Sequence, residues 1–254
     1  VDYELWQWSL FGVAALIVGL SKCGIPGIGI LNVVLFQHAL LAKDATGFGL
    51  PVLVIGDICA AIAYRKHAEW PLIAKLAPWA GLGVLLGYFA LGALSDELAG
   101  LLIALLLALM LAIHVYRELR KGSLESMAAG GRGASILIGL GAGFTSMIGN
   151  AAGPLMALYM LSMGFPKMRF LGVSVYFFLV LNLFKLPFLT HLDLVSMGSI
   201  NANLKLIPFV VTGAFIGVLF AKHVKQIWFD RTAFWLSAAA VAHLLVSAYL
   251  RYAS

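Results

Sequence analysis

Apolar residues run almost unbroken from Leu5 to Ser21 and again from Ile25 to Ala42, separated only by Lys22-Cys-Gly24. That is too long for one span, because a bilayer core of ~30 Å needs only about 20 helical residues. Pro26 and the glycines at 24, 27 and 29 oppose an unbroken helix through this point. The pattern therefore predicts two short apolar helices joined by a break. Further segments follow at Phe48–Tyr64, Leu76–Leu94 and Leu98–Tyr116, after a polar turn at Ala42–Thr46. Residues 117–133, rich in charge, Gly and Ser, read as a solvated linker. The plan then repeats. Ala134–Met147 and Ala151–Met163 flank a second break, and Phe170–Leu189, Leu204–Phe220 and Thr232–Leu250 complete the set.

Two alignments support an internal repeat. Lys75-Leu-Ala-Pro78, Gly83 and Gly87 match Lys205-Leu-Ile-Pro208, Gly213 and Gly217, and a second shift places Gly47 on Gly172 and Asp57 on Asn182. The division predicted is a first membrane repeat over 1–116, a linker over 117–133 and a second repeat over 134–254. If each broken pair is a hairpin returning to its starting side, most Lys and Arg, among them Arg65, Lys66, Arg117, Arg120 and Lys121, gather on one side. If each is a single interrupted span, that bias nearly vanishes. The positive-inside rule favours the hairpins, hence inverted repeats, a cytoplasmic linker and both termini outside.

Composition agrees. Hydrophobic residues make up 62% and charged residues 11% of the 254-residue chain, against about 25% charge in soluble domains. The mean hydropathy is +0.99. The fold class expected is an all-α polytopic membrane protein of about 8–10 membrane segments, each repeat holding a Gly-broken hairpin plus three spans. Barrel strands would alternate, and these stretches do not. The acidic start, Val1-Asp-Tyr-Glu4, predicts no cleavable signal peptide, and the missing initiator Met suggests a trimmed start. The net charge of +6 includes no basic run interleaved with aromatics, so no nucleic-acid partner is expected. Cys23 and Cys59 form no CxxC and the six His show no ligand spacing, so neither metal nor cofactor is expected.

The breaks carry the candidate chemistry. Broken backbone at membrane depth lines a cavity or is buried in protein, and paired interrupted segments in two halves point to a transporter's substrate site. A helix start offers free N–H groups and about half a positive charge, and glycine lets an oxyanion approach closely. The binding candidates are Ser21, Lys22, Gly27, Gly29 and Asn32 at the first break. Thr145, Ser146, Asn150 and Gly153 are those of the second, with Asn182 and Lys185 on a following span. Lys22 either meets the anion or snorkels. Lys185 either attracts the anion, pairs with Asp57 or snorkels. Asp57 is the carboxylate well inside a span, where a charge costs at least ~2.5–3.5 kcal/mol, so it is the candidate for proton coupling. Its repeat mate Asn182 keeps the shape without the charge, which suits one coupling site. Ser174 and Tyr176 would line the route, and Lys75 and Lys205 would sit at helix starts.

The segments Gly19–Gly29 and Gly139–Pro154, each followed by an apolar helix, a polar turn and another span, resemble the TauE/SafE family of sulfite and organosulfonate exporters, within the toluenesulfonate uptake permease superfamily. The usual triple glycine is replaced by Gly-Ile-Pro-Gly-Ile-Gly in the first half and Gly-Asn-Ala-Ala-Gly-Pro in the second. The resemblance implies a secondary transporter, not an enzyme. It would move a small organosulfonate or sulfur oxyanion across the bacterial inner membrane by proton-coupled export. Partners are then the anion, the bilayer and protons, with a homodimer left open. Two other classes compete: a passive anion channel, which has no use for a titrating Asp57, and an intramembrane redox protein built on Cys23, which lacks a second motif.

Overall fold

A computed structural model of the chain describes residues 3–93 and 132–253. The Leu98–Tyr116 segment, all but the last two residues of the 117–133 linker and the boundary at 116 lie outside the described residues. Within them all regular structure is helical: α1 Leu5–Cys23, α2 Ile30–Ala39, α3 Ala42–Tyr64 and α4 Trp70–Ala93 in the first part. The second holds α5 Arg132–Gly149, α6 Ala152–Ser162, α7 Lys167–His191, α8 Met197–His223 and α9 Gln226–Ala253. Five of these (α1, α3, α4, α7 and α8) are long and apolar enough to cross a bilayer. Large apolar side chains such as Val13, Leu86, Phe89, Leu137 and Phe215 stay exposed, as lipid contact demands.

Most helices run past the apolar segments by about a turn. The polar residues Ala42–Thr46, expected as a turn, are the start of α3, and Lys167–Arg169 open α7. Hydropathy marks the part of a helix that lies in lipid and is blind to the polar turns outside it. Lys75 and Lys205 likewise lie inside α4 and α8 rather than at helix starts. The Lys205 ammonium sits 5.2 Å from the centre of the Trp8 ring.

The two breaks differ in length. Between α1 and α2 lie residues 24–29, with Gly27 at φ 91°. Between α5 and α6 lie only residues 150–151, with Asn150 at φ 53°. The glycine-rich stretch before the second break is helical. Its glycines serve packing: a Cβ on Gly143 would collide with the Ala80 carbonyl of α4, and one on Gly139 with Trp79. The same holds across the other pair, where Gly19 meets the Val210 carbonyl and Gly213 the Leu16 carbonyl. Gly83 and Gly87, open to an intramolecular or a dimer contact from sequence, face Leu140 and Met147 of the same chain. α1 thus lies backbone to backbone against α8, and α5 against α4.

Each short helix folds back on its predecessor. Gln7, near the start of α1, donates 2.9 Å to the carbonyl of Ala39 at the end of α2, and Gly29 lies against Ser21. Gly141 lies against Leu155 and Ser135 against Tyr159. At 1.5 Å per residue, α2 and α6 rise only about half of a ~30 Å hydrocarbon core. Neither short helix can cross that core alone. Half-buried Tyr3 and the buried rings of Phe11, Phe36 and Phe48 form an aromatic cluster at the end of the first hairpin away from the break.

α3 and α7 run antiparallel. Gly47 packs on Leu194, Asp57 on Asn182, Ala61 on Tyr176 and His67 on Gly172, so one number rises as the other falls. Replacing Gly143 by Val is expected to lower stability by at least about 1–3 kcal/mol, because backbone rather than a mobile side chain blocks the added methyl groups. Gly133→Ala, which meets nothing, should be neutral. Thermal unfolding in detergent checks both.

Candidate functional site

The breaks converge on one cavity of about 70 Å³. Nine of the twelve residues expected from sequence line it: Ser21, Lys22, Gly27, Gly29 and Asn32 from the first hairpin, Ser146, Asn150 and Gly153 from the second, and Asn182 from α7. A Cβ on Gly29 would meet the Ser21 hydroxyl, whereas one on Gly153 would meet nothing within 4 Å. One glycine therefore packs the wall and the other keeps space open.

Three residues stand outside the lining. Thr145 is buried and donates 2.7 Å to the carbonyl of Gly141 in its own helix, so its hydroxyl is spent on backbone. Lys185 is fully buried, which excludes snorkelling. Its ammonium donates 2.9 Å to the carbonyl of Ser146, 2.9 Å to the Ser146 hydroxyl and 2.6 Å to Oδ1 of Asn150. It thus ties down the open C-terminal carbonyls of α5 and the break itself, and does not pair directly with Asp57. Asp57 is also fully buried, one layer behind the cavity.

Lys22 and Asn182 stand between that carboxylate and the cavity. The Lys22 ammonium lies 2.7 Å from Oδ1 of Asp57, and Asn182 donates 2.6 Å to Oδ2. The Lys22 side chain keeps 12% exposure and its nitrogen lies 4.3 Å from the centre of the Phe178 ring. It extends inward, not to an interface. Asp57 and Asn182, matched positions of the two repeats, therefore touch each other, and only one carries charge.

On α7, Ser174, Phe178 and Asn182 line the cavity at successive four-residue steps, so they share one face of the helix. Ser174 Oγ has no hydrogen-bond partner among the described residues. Tyr176 points elsewhere: it donates 3.1 Å to the Ala61 carbonyl and its ring packs on Trp70. Two residues from Ser174, it lies about 200° round the helix, a separation that no shared face allows. Phe178 was not anticipated, although the same stripe contains it. Pro26 marks the first break in the sequence, whereas the rest of the apolar wall, Ile30, Met156 and Phe170, carries no distinguishing signal. Cys23 is buried outside the lining, its carbonyl taking a hydrogen bond from Tyr64.

Chemically, the cavity offers one cation, hydroxyl and amide donors and little else that is polar. A multi-pass helical protein with such a polar chamber enclosed by broken hairpins is a membrane transport protein. The chain belongs to the sulfite exporter TauE/SafE family, whose sequence model matches residues 11–244. Members of that family are transporters rather than enzymes. No curated protein and no solved structure matches the chain.

Replacing Lys185 by Met removes three hydrogen bonds at the second break, to the carbonyl and hydroxyl of buried Ser146 and to Oδ1 of half-buried Asn150. A stability loss of about 1–3 kcal/mol or more is expected, visible as a lower unfolding temperature in detergent, and Ser146→Ala should cost less because the other two bonds survive.

Proposed function

We propose that the protein is a secondary transporter that exports a small organosulfonate or sulfur oxyanion across the bacterial inner membrane, coupled to protons through Asp57. The observation carrying this reading is the Lys22 ammonium, which lines the cavity on one side and pairs with a buried carboxylate on the other. A fixed anion hole needs only the cation. The carboxylate behind it is a group that can take up and release a proton out of contact with lipid.

In the mechanism, Lys22 supplies the charge that holds the anion. Ser21, Asn32, Ser146, Asn150, Ser174 and Asn182 supply donors that fit sulfonate or sulfite oxygens without adding charge. Gly27, Gly29 and Gly153 let backbone approach. The starts of α2 and α6, at Ile30 and Ala152, add partial positive charge. Lys185 and Thr145 act behind this layer as positioning residues for the second break.

Alternating access follows from the same parts. The antiparallel run of α3 against α7 supports two inverted repeats, 1–116 and 134–254, joined by a cytoplasmic linker at 117–133. Rocking the first hairpin with its clamp α8 against the second hairpin with its clamp α4, about the Asp57–Asn182 contact, would open the cavity to each side in turn.

The test is uptake of small sulfonates and sulfite into proteoliposomes with and without an imposed pH gradient, for wild type and Asp57→Asn. Wild type should accumulate at least one of them against its gradient, and the variant should fall to equilibration. Wild-type flux that never exceeds equilibration would identify a passive channel instead. Accumulation that survives the substitution would move coupling away from Asp57.

A further inference from the structure

We infer that proton and anion bind together rather than in exchange, because the Lys22 ammonium is shared between Asp57 and the cavity. This deepens the proposed function and rests on it. Asp57 has no exposure and does not line the cavity. Its two oxygens are held by Lys22 and Asn182, and both of those side chains do line it. Lys22 thus belongs both to the cavity lining and to the ion pair with Asp57, so an anion in the cavity and the carboxylate would draw on one cation.

Charge then sets the order. With Asp57 ionised, Lys22 is neutralised from behind, and an entering anion must share it with a carboxylate 2.7 Å away. With Asp57 protonated, the whole charge of Lys22 is directed at the cavity. Among the described residues the charges acting on Asp57 are Lys22 of α1 and Lys185 of α7, and the Cys23 thiol of α1 is close enough to feel it. None comes from α2, α5 or α8. Lys185 is locked by three acceptors at the second break, so it cannot take over from Lys22.

Each site thus favours the occupied state of the other, and linkage requires the effect to be reciprocal. An anion raises the proton affinity of Asp57, and a proton raises anion affinity. The pair crosses in the same direction. For a doubly charged oxyanion leaving with one proton, net negative charge moves outward, a step that an inside-negative membrane potential drives. For a singly charged sulfonate the step is electroneutral and follows the combined gradients of anion and proton.

The experiment is titration calorimetry of the purified full chain with methanesulfonate, whose charge is constant between about pH 5 and 8. It is run in two buffers of different ionisation heat, for wild type and Asp57→Asn. Wild type should bind more tightly as pH falls, by up to about tenfold per unit, and take up close to one proton per anion. Asp57→Asn, which copies its repeat mate, should bind at every pH without proton uptake. Proton release on binding, or affinity that falls with pH, overturns co-binding while leaving the anion site intact. So does pH-independent wild-type binding. Absence of binding at any pH overturns the anion site itself. The wild-type proton count stands without the variant, so a variant that misfolds does not spare the inference.

Discussion

A chain that stops being helical inside a bilayer leaves carbonyl and amide groups with no water to meet them, each costing several kcal/mol if unpaired. The structure answers this at both breaks with side chains from the following long helix. Tyr64, at the end of α3, donates to the Cys23 carbonyl where α1 ends. Lys185, on α7, donates to the Ser146 carbonyl where α5 ends. The second break gains a further brace, with Asn150 donating 3.0 Å to the Thr46 carbonyl and Thr46 donating 3.2 Å to that of Ile148. These carbonyls are met by side chains from elsewhere in the chain, and the Ser174 hydroxyl, without a hydrogen-bond partner among the described residues, is left for whatever occupies the cavity.

That arrangement needs the hairpins fixed with little slack, which the glycine contacts supply. Each broken helix is clamped along its length by a helix from the other half of the chain, α1 by α8 and α5 by α4. Since the clamps cross between halves, movement of one hairpin must drag a long helix of the opposite half. The two halves meet at Asp57 and Asn182, the place where a single charge separates otherwise matched positions. Both broken hairpins build the chamber, and the charge of Asp57 opposite Asn182 sets its chemistry.

Much of this was legible in the chain. Pro26 and the glycines around it located the first break, and the shift that paired Asp57 with Asn182 named two residues that turn out to touch. Other features were not legible, for identifiable reasons. Gly139 and Gly143 belong to the glycine-rich stretch of the second motif but are helical and serve packing, because glycine signals close approach as readily as irregular backbone. Lys185 resisted interpretation because its partners lie on another hairpin, and periodicity says nothing about contacts between elements. Tyr176 was placed on the wrong face by reading sequence proximity to Asn182 instead of a strict four-residue step. Helix ends were misjudged wherever a polar turn extended beyond the lipid-buried stretch.

The most direct test of the account is a structure determined with selenite, an oxyanion close to sulfite whose selenium is located by anomalous scattering. The account predicts one strong peak inside the cavity, within hydrogen-bond reach of the Lys22 ammonium and between the starts of α2 and α6. A peak elsewhere, or a cavity left empty at saturating selenite under conditions that support transport, would contradict it.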